Sequence, residues 1–293
     1  MDDLLTWTAL ATLVMGFGSG ILAGMFGIGG AVLTTPAIRV LGATPLQGVG
    51  STVPAILPGS ISGAYRYAKE GLVNWRVGLV CGFTGGLLAA LGAWTAGLVN
   101  AHYLMVATAG LMAFSGLSLI RSARDAEVLA EVPAAGPEGD VAESEALTGT
   151  ISNASSEAVE VDAPPEAEAR LPLGLLMVVG AGAGALAGLL GVGGGIVMVP
   201  AFTRFLRLPM KVAVGSSLVA VAIFSVPALI THWYYGHIAW RFALPLLIGV
   251  IPGAQVGARL SFAASDVTMR RLFGWFVLVL SAVYGASELL GLR

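Results

Sequence analysis

"FGIGGAVLTTP" (residues 26–36) and "LGVGGGIVMVP" (residues 190–200) are almost the same phrase, written twice at an offset of 164 residues. Each closes a long apolar stretch with a cluster of glycines and opens a short apolar stretch that runs on past a proline. Glycine at that density opposes a helix, so each phrase reads as a break between two helical segments. The match extends on both sides. Gly16, Gly18, Gly20 and Gly24 recur as Gly180, Gly182, Gly184 and Gly188, and Pro45 recurs as Pro209. After one inserted residue, "VGST" at 49–52 answers "VGSS" at 214–217, and Trp75-Arg76 answers Trp240-Arg241. The chain is an internal duplication, an organisation typical of secondary transporters.

Composition places the duplication in a membrane. Of the 293 residues, 56% are hydrophobic and only 11% charged, against about 25% charged in a soluble domain. Mean hydropathy is +0.86. The net charge of -2 misleads, because twelve of the seventeen acids lie between Asp125 and Glu168. That acidic, Pro/Ala/Ser-rich segment, 121–170, cannot bury enough apolar surface to offset chain entropy and reads as a disordered linker. The expected domains are a membrane repeat at 1–120, the linker, and a second membrane repeat at 171–293. Asp2 and Asp3 argue against a basic signal-peptide start. The single cysteine, Cys81, reads as a buried packing residue.

Each repeat holds five apolar stretches: 4–26, 28–41, 47–68, 75–98 and 102–120, then 172–190, 195–208, 211–235, 240–262 and 267–290. Crossing about 30 Å of hydrocarbon at about 1.5 Å per residue takes about 20 residues. The 28–41 and 195–208 stretches are too short to do so. The expected fold is therefore an all-α polytopic membrane protein of two inverted repeats, each a hairpin or broken-helix pair plus three transmembrane helices. With the N-terminus outside, twelve Lys and Arg fall inside and only Arg39, Arg241 and Arg293 outside. Four crossings per repeat would divide them seven against eight, so the positive-inside rule favours inversion. The linker is then cytoplasmic and both termini periplasmic.

Within this frame Gly16, Gly20, Gly24, Gly180, Gly184 and Gly188, spaced by four, read as helix-packing positions. The clusters Gly27, Gly29, Gly30 and Gly191, Gly193, Gly194, Gly195 can do more. A break inside the membrane exposes backbone N–H groups that protein, water or a ligand must satisfy. At the start of a short helix those groups suit an anion, and glycine lets it come close. The alternative is a purely structural turn. Ser51, Thr52, Ser216 and Ser217 stand at the starts of the third stretches, after a breaker glycine, where they could cap a helix or donate to the anion. Thr34 and Thr35 more naturally bond back to their own helix. Gln255, an amide inside an apolar helix, suits either a helix–helix hydrogen bond or the substrate.

The duplicated Gly-x-Gly-Gly phrase followed by a short helix with proline resembles the TauE/SafE family of sulfite and organosulfonate exporters. The residues that carry the likeness are Gly27, Gly29, Gly30 and Pro36, then Gly191, Gly193, Gly194 and Pro200. The resemblance covers both flanks and excludes the linker. It implies a secondary transporter moving a small sulfur-containing anion out across a bacterial inner membrane. The alternatives are an anion channel or a transporter of another small anion. The sequence lacks His-Glu-x-x-His, Gly-x-Ser-x-Gly, a Gly-Lys-Ser/Thr phosphate loop and paired carboxylates in the apolar stretches. It therefore reads as no enzyme and no ATP-driven pump. No cofactor, metal or nucleic acid is indicated. The expected partners are the anion and the lipid bilayer, and self-association stays open.

Overall fold

The computed structural model describes residues 2–96, 101–131, 171–190 and 194–289. Among these residues every regular element is an α-helix. The first half supplies α1 (Asp2–Phe26), α2 (Ala31–Val40), α3 (Pro45–Lys69), α4 (Trp75–Ala96) and α5 (Ala101–Glu131). The second supplies α6 (Leu173–Leu190), α7 (Gly195–Phe205), α8 (Met210–Tyr234), α9 (Trp240–Ala263) and α10 (Asp266–Leu289). The two glycine phrases do end one helix and start another. The ten residues of α2 and the eleven of α7 rise only about 15–17 Å. Among the described residues, Trp7–Phe26, Met210–Tyr234 and Trp240–Ala263 are long and apolar enough to cross a membrane.

Two boundaries differ from the sequence reading. α5 runs on to Glu131, into the segment read as linker, because "RSARDAEVLAE" is rich in the strong helix formers Ala, Arg, Leu and Glu. α3 and α8 begin at Pro45 and Met210, so Ser51 and Ser216 lie one to two turns inside their helices. The start of α3 is set by a capping box. Thr44 Oγ1 accepts from Gln47 N, Gln47 Oε1 accepts from Thr44 N, and Pro45 stands at the first helical position.

The strongest helix pairings join the two halves, and they are reciprocal. α1 packs on α9 and α4 on α6; α3 packs on α9 and α4 on α8; α3 meets α8 and α5 meets α10. Glycine makes the first two pairings close. A Cβ on Gly16 would stand 2.7 Å from the Leu246 carbonyl oxygen, and one on Gly20 2.5 Å from that of Val250. Gly24 abuts Ala254 in the same way. These numbers rise together, so α1 and α9 run parallel. Gly180 against Cys81 and Gly184 against Gly85 make α6 and α4 parallel too. For Gly16, Gly20, Gly24, Gly180 and Gly184 the packing role read from the sequence is the one observed; the surroundings of Gly188 lie outside the described residues.

Corresponding helices meet with the opposite polarity. Along α5 and α10, Ser281 Oγ donates to Ala109 O (2.8 Å), Gly116 faces Gly274, and Arg270 donates to Ser122 Oγ (2.8 Å). Along α3 and α8, Gly63 faces Leu218 and Tyr67 faces Gly215. One end of the bundle thus gathers the ends of α3, α5, α7 and α9 with the starts of α8 and α10. There the Tyr67 and Phe262 rings lie 5.0 Å apart, Lys211 Nζ donates to Phe262 O (3.0 Å), and Arg204 donates to Ser118 Oγ (3.3 Å).

Candidate functional site

The first break is a run of left-handed backbone. Gly27, Gly29 and Gly30 have φ of +72°, +73° and +75°, a region that costs an L-residue with a side chain roughly 1–2 kcal/mol. Gly27 N still closes the last turn of α1 on Ala23 O (2.7 Å), and Gly30 O accepts from Leu33 N and Thr34 N to open α2. Between them Ile28 is fully buried. The first amides of α2, like those of any helix, have no carbonyl of their own helix to bond.

The second break comes to meet the first. Gly195, the first residue of α7, sits so close to Gly27 and Ile28 that a Cβ would overlap the Gly27 carbonyl and lie 2.5 Å from Ile28 Cα. Gly194 faces the ring of Phe224 with the same lack of room. Its φ of -49° is helical, unlike that of Gly30. Gly191 and Gly193 fall outside the described residues. Ser217 ties the halves together at this point. Its Oγ lies 2.8 Å from Val214 O and 3.2 Å from Gly27 O.

Beside the first break is a small cavity of about 10 Å³, close to the least that holds one water (about 10–15 Å³). Its polar lining comes from Gly29, Gly30, Ser19, Thr34 and Thr52; Ile56, Leu246 and Val250 supply apolar walls. Among the described residues no charged side chain lines it. All three hydroxyls donate to backbone carbonyls of their own segment: Ser19 to Gly16 O (3.0 Å), Thr34 to Gly30 O (3.2 Å) and Thr52 to Val49 O (2.8 Å). Thr34 therefore bonds back as its position suggested. Each hydroxyl can turn its proton toward a ligand by one rotation about its Cβ–O bond.

The remaining residues of the sequence-derived set divide. Thr52 lines the cavity, whereas Ser51 faces elsewhere and accepts from Ala239 N (2.9 Å). Ser216 does the same for Asn74 N (2.9 Å). Each serine thus satisfies an amide at the N-terminus of the other half's fourth helix, a capping bond made across the duplication and not within it. Gln255 is half-buried in α9, beside Ala254, and does not line the cavity. Ser19 was missed. A serine in "GFGSG" carries no local signal beyond that of a small packing residue.

Apolar helices interrupted by two glycine breaks that touch inside the bundle define a polytopic membrane protein of the transporter class. The chain belongs to the TauE/SafE family: the family described as "Sulfite exporter TauE/SafE" matches residues 12–284. It is 27% identical over 286 residues to a "Probable membrane transporter protein" of Xylella fastidiosa (strain 9a5c), covering 94% of this chain and 95% of that one. It is 26% identical over 257 residues to the probable membrane transporter protein YunE of Bacillus subtilis (strain 168), covering 85% and 87%. A probable membrane transporter protein of Methanocaldococcus jannaschii is 23% identical over 294 residues. No solved structure matches the chain. The protein is a membrane transporter of this family.

Proposed function

We propose that the protein exports a small sulfur-containing anion, sulfite or an organosulfonate, across a bacterial inner membrane by alternating access. The anion would be held where the two glycine breaks meet. The observation that carries this reading is the junction of Gly195 with Gly27–Ile28 beside a cavity lined by the Gly29–Gly30 backbone and three hydroxyls. Neutral dipoles of this kind bind an anion without the desolvation cost of a buried cation. The cavity is far smaller than a sulfonate, which fits an occluded conformation that must open for the anion to enter or leave. A permanently open anion channel would need a wider path.

The two halves are taken as inverted repeats, supported by the opposite polarity of α3 against α8 and of α5 against α10. The end that gathers Arg66, Lys69, Arg204, Lys211 and Arg270 is taken as cytoplasmic by the positive-inside rule. On that reading the linker, residues 121–170, would lie in the cytoplasm and both termini outside. The test is binding of sulfite, sulfoacetate, taurine, thiosulfate and sulfate to purified protein, with Gly30→Leu as the variant. A leucine there would start 3.4 Å from Ser19 O and 3.7 Å from Ser19 Oγ, at the cavity wall, and its length would fill the small space. Affinity unchanged in Gly30→Leu would rule out the helix-terminus site.

A further inference from the structure

A second cavity lies at the cation-rich end of the bundle, where α5, α7 and α10 come together. Its volume is about 60 Å³, room for several waters at about 10–15 Å³ each, and hence for an ion of three or four oxygens. Ser118 and Ser122 line it from α5, Pro200 and Thr203 from α7, and with them Arg204 and Arg270. Arg204 Nη1 donates to Ser118 Oγ (3.3 Å) and Arg270 Nη1 to Ser122 Oγ (2.8 Å). Each guanidinium has five N–H groups, so most stay available. Each serine accepts with its oxygen and keeps its own proton to donate. Among the described side chains one carboxylate approaches: Asp266 Oδ2 pairs with Arg270 Nε at 3.1 Å. Among them Arg204 has no ion pair, so Arg204, Arg270 and Asp266 together sum to a net positive charge.

The duplication makes this cluster informative. At the positions of the first half that correspond to Arg204 and Arg270 stand Val40 and Met105, and Val283 corresponds to Ser118. Neither arginine is repeated at its corresponding position, although Arg39 answers Thr203 and Ser287 answers Ser122. Guanidinium groups and hydroxyls presented together suit a ligand that only accepts hydrogen bonds, and the planar fork of arginine matches paired oxygens.

We propose that the Arg204–Arg270 cavity is an oxyanion-binding site, separate from the glycine junction, that captures a sulfite-, sulfonate- or phosphate-like group at the bundle end. Only the identity of the natural anion rests on the transport reading given above; the site itself does not. The group can come from a free anion or from an acidic lipid headgroup, and the chemistry is the same.

The experiment uses the full chain in phosphatidylcholine nanodiscs, titrated calorimetrically with sulfite and with inorganic phosphate. Phosphatidylglycerol retention is measured in parallel by native mass spectrometry. Arg204→Gln, Arg204→Lys and Arg204→Gln/Arg270→Gln are compared in the wild-type and Gly30→Leu backgrounds. Because Arg204 is exposed, its single variants test the site even where the double variant folds poorly. A loss of at least tenfold in affinity for either free anion in Arg204→Gln, lessened in Arg204→Lys, supports capture of a free oxyanion. Loss of retained phosphatidylglycerol with unchanged anion affinity supports the same site filled by a headgroup. No change in either arm overturns the proposal and leaves the two arginines as interfacial anchors. If Gly30→Leu transports normally while the arginine variants lose binding, the glycine-junction reading falls and this one stands.

Discussion

Gly195→Ala is the sharpest probe of the junction between the two halves. The added methyl group would overlap the Gly27 carbonyl and stand 2.5 Å from Ile28 Cα, where carbon atoms prefer about 3.5–4.0 Å. Both obstacles are backbone, so no side chain can swing aside, and the two breaks must part by about 1 Å. Overpacking of this kind costs about 1–3 kcal/mol, only partly offset by the better helix propensity of alanine, at most about 1 kcal/mol. At about 2–4 °C per kcal/mol, the net loss of up to about 3 kcal/mol lowers the unfolding temperature by up to about 12 °C. The matched control is Gly182→Ala in α6, where a Cβ meets nothing within 4 Å. It should leave stability unchanged or slightly raised. The assay is thermal unfolding of the purified protein in detergent, paired with sulfite flux into proteoliposomes. Flux should fall at least tenfold in Gly195→Ala and hold in Gly182→Ala. Equal melting and equal flux in the two variants would refute the close junction.

Ser51→Ala and Ser216→Ala each strand a helix N-terminal amide of the opposite half, at about 1–3 kcal/mol apiece, and should lower the melting temperature without changing anion affinity; an affinity change of more than about threefold would show direct contact with the anion. Cysteine placed at Ser144 in a Cys81→Ala background should resist an impermeant maleimide in intact cells, and ready labelling there would reverse the proposed orientation. An anion leaving a negative-inside cell gains about 2.3 kcal/mol per charge per 100 mV, about 40-fold in concentration. An inside-positive potential should therefore drive sulfite into proteoliposomes without a pH gradient, and uptake driven by the pH gradient alone would exclude that mechanism.

What could be read from the sequence is what local chemistry determines. Glycine density in "FGIGGAVLTTP" and "LGVGGGIVMVP" breaks a helix wherever it occurs, and a ten- or eleven-residue apolar segment is short in any fold. Spacing by four made Gly16, Gly20 and Gly24 a packing face before its partner was known. The partner itself, the Leu246–Ala254 stretch of α9, lies over 200 residues away and has no local signature. For the same reason Ser51 and Ser216 were legible as capping residues, but not as caps for the other half's helices. Ser19 reaches the cavity wall only because α1 passes beside the break that it precedes. Arg204 and Arg270 are 66 residues apart and share a cavity because α7 and α10 both converge on the end of α5. Pairings of this kind depend on how whole helices pack, and a sequence window carries no term for that.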